Sequence, residues 1–251
     1  MSRTVDGAQS IDRAIAMLRL IARHGMAGAT TSELARLSGL SPSTARRILK
    51  CLVENKMAMQ TDEARRYVIG DLVGELALVS PSKARLLNRW RPIIEKVADA
   101  TRATTYLVMR SEFDTVVLDG VDGRAYLRAV PYEIGQRYPL GIGAGSVAIL
   151  ASCEPGQVDE ILAANTSHYR NYDEGTPERI RGLVNRARSN GYAFTSKARR
   201  MPGVCGLAVA VPNPQGPSML AVSVAAVGEM LQPPVCERLA QQMRRLIGAG
   251  R

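Results

Sequence analysis

The chain is poor in the residues that build metal, disulfide and stacking sites. It holds two histidines and four cysteines among 251 residues. Cys51, Cys153, Cys205 and Cys236 are widely spaced and form no CxxC pair. That argues against a zinc knuckle or a disulfide framework and for reduced, buried thiols in a cytoplasmic protein. His24 and His168 make no dyad with a nucleophile and belong to no cluster of metal ligands, so neither a metal nor another cofactor is expected. Aromatic residues are 4% of the chain, too few for a single-strand binder that works by base stacking. No run approaches the roughly 18 apolar residues of a membrane span. The opening MSRTVDGAQS lacks the apolar core of a signal peptide. Internal repeats and low-complexity tracts are absent.

Positive charge is in excess. There are 33 Lys and Arg against 23 Asp and Glu, a net of +10, and the pI is near 9.8. A polyanionic partner fits that balance. Residues 1–70 hold 11 basic and 6 acidic side chains, so the first segment is the denser in positive charge. A hydrophobic share of 46% supports sizeable cores, in one large domain or two ordinary ones.

The stretch Thr30 to Leu52, TTSELARLSGLSPSTARRILKCL, carries the clearest message. Thr30 with Glu33 is a capping-box pattern opening a helix from Thr31 to about Leu37. Gly39 turns the chain, and Ser41 and Pro42 suit the N-cap and first position of a second helix to about Val53. On that helix Ala45, Ile48, Leu49 and Leu52 form one apolar stripe. Ser43, Arg46, Arg47 and Lys50 fall on the other side, and Ser43 and Thr44 occupy the first turn, where a reading helix meets base edges. Arg46 and Arg47 have the fork for guanine edges or phosphates; Lys50 suits a phosphate. Upstream, Ser10 to Ala22 reads as an amphipathic helix through Ile11, Ala14, Ile15, Leu18 and Ile21. Downstream, KMAMQ and RRYVI flank the polar Thr61–Ala64 as a hairpin whose Arg65 and Arg66 could touch the sugar-phosphate backbone. The pattern predicts a winged helix-turn-helix over 1–70. Its candidate DNA-facing set is Thr30, Thr31, Ser41, Ser43, Thr44, Arg46, Arg47, Lys50, Arg65 and Arg66.

A helical linker over 71–90 follows, with Trp90 as a packing anchor and a second helical run to Thr101 in which Pro92 marks a kink or a start. From Thr104 the period becomes two. Strands are expected at Thr105–Met109, Thr115–Leu118, Tyr126–Val130, Tyr192–Ser196, Gly206–Val211 and Met219–Val227. Helices fall at Val147–Ser152, Gly156–Ala164, Glu178–Asn190 and Pro234–Ile247. Antiparallel strands with interspersed helices give an α+β domain over 91–251.

In this order the pieces resemble the IclR family of bacterial transcriptional regulators. The resemblance is carried by SIDRAIAMLRLIA (10–22), TTSELARLSGLSPSTARRILKCLVENKM (30–57), RRYVIGDLVGELA (65–77), RYPLGIGAGSVAILA (137–151), GYAFTSK (191–197) and GVCGLAVAVPNPQGPSMLAVSVA (203–225). It implies a GAF-like effector domain, dimers or tetramers, and a double-stranded operator. It also implies a small organic acid as effector, aromatic acids included. The effector site would comprise Gly143, Ala144, Gly145, Ser146, Thr195, Gly203 and Cys205. The physical logic agrees: a Gly-rich approach to a helix N-terminus exposes amides and a positive dipole end to an anion. The chain departs from the family at Ser146 and Val147, where Gly and Lys are usual, and at Ser196 and Lys197, where acidic residues are usual. With Arg199 and Arg200 that loop is basic.

An enzyme is the competing class. Gly141, Gly143 and Gly145 fit neither GxGxxG nor a phosphate loop, and Ser146 is not in a GxSxG elbow. A hydrolase using Ser146 or Cys205 is therefore disfavoured. So is a sensor acting only through protein contacts, because the reading helix is intact.

Overall fold

The computed structural model describes residues 8–61, 65–123, 132–172, 175–196, 203–227 and 231–249. Internal contacts divide the chain into two units, Met1–Arg85 and Leu86–Arg251.

The first unit contains α1 (Gln9–Arg23), α2 (Thr31–Ser38), α3 (Pro42–Glu54), β1 (Ala58–Gln60), β2 (Tyr67–Ile69) and α4 (Asp71–Leu78). The expected capping box is formed: the Glu33 amide donates to Thr30 Oγ1 at 3.3 Å and the Thr30 amide donates to Glu33 Oε2 at 2.8 Å. Gly39 closes α2 at φ 67°, a left-handed turn that favours glycine. Ser41 caps α3 by accepting from the Thr44 amide at 3.2 Å. The α3 stripe is buried as the spacing predicts, with Ala45 and Leu49 fully enclosed against Met17, Ile21 and Leu34.

The face of α1 is rotated from the expected one. Met17 and Ile21 fill the core, whereas Ile11 and Ile15 are 62% and 42% exposed. Ala14, Leu18 and Ile21 of the expected stripe meet the core, and the contact with α2 and α3 turns the helix toward Met17 and away from Ile11 and Ile15. β1 and β2 pair antiparallel, Ala58 opposite Ile69, as the wing; residues 62–64 at its tip lie outside the described residues.

The second unit is built on α5 (Pro81–Thr101), which begins before the unit boundary and continues unbroken through Pro92. A six-stranded antiparallel sheet has the order β5-β4-β3-β8-β7-β6. Its strands are β3 (Thr104–Ser111), β4 (Asp114–Val121), β5 (Arg137–Pro139), β6 (Ala193–Thr195), β7 (Val204–Ala210) and β8 (Leu220–Val227). The expected strand at Tyr126–Val130 lies outside the described residues. Helices α6 (Ala144–Ala151), α7 (Pro155–Tyr169) and α8 (Pro177–Asn190) pack on one face, while α5 and α9 (Pro233–Ala249) cover the other. Trp90, 3% exposed, anchors the second layer. Among the described residues no helix is long and apolar enough to cross a membrane.

Leu49 is fully enclosed at the centre of the first unit. Leu49→Ala should lower that unit's stability by about 3 kcal/mol through lost burial and the cavity left behind. Urea unfolding followed by far-UV circular dichroism measures it, and a loss under about 1 kcal/mol would show that this layer is not the core.

Candidate nucleic-acid interface and effector site

The apolar stripe of α3 is spent on the core, and its other side is left to solvent. Ser43, Arg46, Arg47 and Lys50 are exposed and Thr44 is half-buried. Lys50 meets Glu54 at 3.7 Å, with both side chains mostly exposed, an ion pair too solvated to withhold the amine from a phosphate. This face is a row of cations and hydroxyls on a helix whose first turn, residues 41–43, is exposed, which suits entry into a major groove.

Not all of the expected DNA-facing residues are free to serve. The Thr30 hydroxyl is bound up with Glu33 in the α2 cap, and Ser41 Oγ is shared among the Thr44 amide, Thr44 Oγ1 and Ser43 Oγ at the α3 cap. These two act by setting the helix starts. Thr31, the first residue of α2, is half-buried. Arg66 is engaged within the fold. Its Nε donates to Ala27 O at 2.8 Å, and its Nη2 donates to Gly28 O at 3.0 Å and pairs with Glu33 at 3.3 Å. It ties the wing to the entry of α2, and only Arg65 of the pair is fully exposed. The Thr30 amide and hydroxyl, then Arg66 and His24, hold the Glu33 carboxyl below the usual carboxylate range. That stabilisation is present above the usual range and is lost as pH falls through the lowered value.

The second site is the corner where Pro139–Gly143 delivers the chain to α6. Gly143 is the N-cap at φ 77°, and no side chain caps the helix. The amides of Ala144, Gly145 and Ser146 are buried and have no hydrogen-bond partner among the described residues. Three orphaned donors in a protein interior are a rare and costly arrangement. Around them stand the hydroxyls of Thr195 and Ser223, each 8% exposed and without a hydrogen-bond partner among the described residues. Tyr106 is 3% exposed, and its hydroxyl has no partner in hydrogen-bond geometry among the described residues. Burial pushes its pKa up to about 12, the Tyr132 backbone offsetting this in part. The cradle therefore offers neutral donors in a dry setting, which is what a small carboxylate would take.

The expected effector residues sort by sheet geometry. Thr195 pairs with Gly206 across β6 and β7, on the face toward α6. A Cβ on Gly206 would stand 3.0 Å from Thr195 Oγ1 and 3.0 Å from the Ala144 Cβ, so the bare glycine leaves a niche beside the Ala144 amide. Cys205, one residue earlier, points to the opposite face. There it packs with Leu207, Phe194 and Cys236 and lines a separate cavity of about 390 Å³. Cys205 is thus not in the α6 cradle, and Gly206 takes its place. Gly203 is exposed at φ 83° at the start of β7, with nothing near it.

Gly145 is a packing residue: a Cβ there would lie 2.6 Å from Val108 Cγ2, so α6 rests directly on β3. The Ser146 hydroxyl is likewise used by the fold. It accepts from Thr115 Oγ1 at 2.9 Å and from the Gly141 amide, which locks the corner. The basic residues Lys197, Arg199 and Arg200 lie outside the described residues.

Sequence reasoning missed the tyrosines. Tyr132 stacks on Tyr138 with centroids 4.9 Å apart and meets Tyr106 edge-on at 5.7 Å. Among the described residues Tyr106, Tyr132, Tyr138, Tyr169 and Tyr172 share this corner. Their concentration between residues 106 and 172 was a visible signal in a chain with so few aromatics.

A winged helix with an exposed basic reading helix, joined to a sheet domain with a buried donor cradle, defines a helix-turn-helix regulator with an effector domain. The chain belongs to the IclR family of transcriptional regulators: the IclR helix-turn-helix domain matches residues 10–62 and the IclR C-terminal domain matches residues 80–246. It is 24% identical over 223 residues to the transcriptional repressor IclR of Escherichia coli, covering 86% of this chain and 79% of that one. It is 24% identical to the regulator TtgV of Pseudomonas putida, covering 86% and 81%. Among solved structures, an IclR-family regulator from Brucella abortus superposes with a TM-score of 0.76 at 20% identity, covering 99% and 93%. An IclR homologue from Microbacterium hydrocarbonoxydans, solved with 4-hydroxybenzoate, gives 0.66 at 20% identity, covering 96% and 98%.

Tyr106→Phe removes a buried hydroxyl that has the Tyr132 backbone near it but no partner in hydrogen-bond geometry among the described residues. The ligand-free protein should therefore gain about 1 kcal/mol in urea unfolding near neutral pH. A loss of 1 kcal/mol or more would show that the hydroxyl is bonded after all. Because the native phenol keeps its proton up to about pH 12, wild-type stability should fall as pH rises from about 10 toward that value. The Phe variant should lose part of that slope.

Proposed function

We propose that this IclR-family regulator reads a double-stranded operator through α3 and responds to a small organic acid held at the N-terminus of α6. The observation that carries the effector half is the set of buried amides at Ala144, Gly145 and Ser146 with no partner among the described residues. A carboxylate that accepts from them, with Thr195 and Ser223 alongside, relieves the cost of leaving them bare. The Microbacterium homologue's complex with 4-hydroxybenzoate supports an acid of this size. The observation that carries the operator half is the exposed row Ser43, Arg46, Arg47 and Lys50.

In this reading residues 1–70 are the reading head, 71–90 the linker and 91–251 the effector domain, in a cytoplasmic protein. The effector acts by binding one arrangement of the protein better than another, through the linker. The protein works as a homo-oligomer, a dimer or tetramer. In the first unit Ile11, Ile15, Leu76, Leu78 and Val79 are exposed apolar side chains that a second copy would cover.

Gel shift of the protein's own upstream region tests the operator half. Affinity should fall steeply with salt, and Arg46→Ala or Arg47→Ala should weaken specific binding by about 1–3 kcal/mol. Unchanged affinity in both variants would remove α3 from the interface. A thermal-shift screen against small carboxylates tests the effector half. At an acid concentration a hundredfold above Kd the stabilisation should reach about 2.7 kcal/mol, and Gly206→Val, which fills the niche beside Thr195, should abolish it. A full response in that variant would place the effector elsewhere.

A further inference from the structure

We propose that Tyr132 is a resident stand-in for the effector: its ring holds the seat of an aromatic acid, which must expel it to bind. This rests on the effector site at α6 proposed above.

The ring of Tyr132 lies 22° from parallel with Tyr138 at 4.9 Å and stands 86° to Tyr106 at 5.7 Å. It occupies a slot with an aromatic floor and an aromatic wall. Its hydroxyl abuts Gly143, the N-cap of α6, so closely that any Cβ on Gly143 would collide with it. A flat ring with a polar group aimed at the helix end is also the outline of a benzoate-like acid. The chain thus fills its own ligand slot with a phenol, a neutral group and a weaker complement to a helix N-terminus than a carboxylate.

The three tyrosines are not equally fixed. Tyr106 and Tyr138 are 3% and 2% exposed, one on β3 and one on β5, while Tyr132 is half-buried and lies on the loop before β5. Tyr132 is the ring that can leave without breaking a strand. When it does, an aromatic acid can stack on Tyr138, meet Tyr106 edge-on and place its carboxylate on the amides of Ala144, Gly145 and Ser146. A two- or three-carbon acid reaches the amides without needing the slot. The competition makes Tyr132 a determinant of both ligand class and affinity, because the apparent affinity falls by the fraction of molecules whose slot is occupied.

Calorimetric titration of the full-length protein with benzoate and with pyruvate tests this, on wild type and on Tyr132→Ala. Benzoate should bind the variant about tenfold more tightly, and pyruvate should change far less. Benzoate binding that is unchanged or weaker in the variant would make Tyr132 a wall of the site and overturn the proposal. If pyruvate binds and benzoate binds neither protein, the proposal falls while the effector site stands. If neither acid binds either protein, the effector reading falls and this proposal with it. Tyr132→Trp gives a second readout should the Ala variant fold poorly. Benzoate should shift the added indole emission to the red and open it to acrylamide quenching, against the buried Trp90. An emission that benzoate saturates the site without moving would also overturn the expulsion.

Discussion

The effector domain depends on one constraint: a helix end is pressed against a sheet with almost nothing between them. Gly145 sits where a single added carbon would overlap Val108. That contact sets the depth of α6, and the depth puts its first amides in the interior. Ser146, Thr115 and the Gly141 amide hold the corner from inside, and Tyr169 donates its hydroxyl to Leu140 O. Polar groups that could have served the helix end are used to fix the loop before it. The donors left over are where local satisfaction is given up, as is common at sites that await a partner.

The reading head solves the opposite problem. Its helices are satisfied at their starts by Thr30, Glu33 and Ser41, and Arg66 adds a clamp from the wing to the same cap. With the apolar stripe of α3 buried and the caps made locally, the α3 cations have no structural duty. A polyanion met there would be attracted through solvent, and salt would weaken that attraction. The donors at α6 are buried, so a ligand there would be selected by shape and donor placement. The two units thus present opposite ends of the dielectric range, a solvated cationic face in the head and buried donors in the effector domain.

Aromatic residues are scarce in this chain, and their clustering gives the effector corner its shape. Tyr138 and Tyr106 form fixed walls that burial keeps neutral, and both phenol pKa values are raised chiefly by desolvation. Gly206 supplies room on the far side, beside Thr195. The cradle is lined by hydroxyls and amides with aromatic surface next to them, which suits a ligand with one acidic end and one flat apolar end.

The sequence by itself determined the local elements: the capping box at Thr30, the turn at Gly39, the α3 stripe and its cationic back, and the winged order. Each is set by contacts a few residues apart, so spacing alone reveals it. The tertiary structure decided what each side chain was free to do. Arg66 reads as a phosphate contact until the wing folds back on Ala27 and Gly28. Ile11 and Ile15 read as core until α2 and α3 choose the Met17 side. Cys205 and Gly206 are neighbours in sequence, and only the pairing of Thr195 with Gly206 shows which of them faces α6. Pairing register, helix rotation and the meeting of Tyr132 with Gly143 are set by residues far apart along the chain, and a side chain's direction in a strand reverses with a shift of one residue.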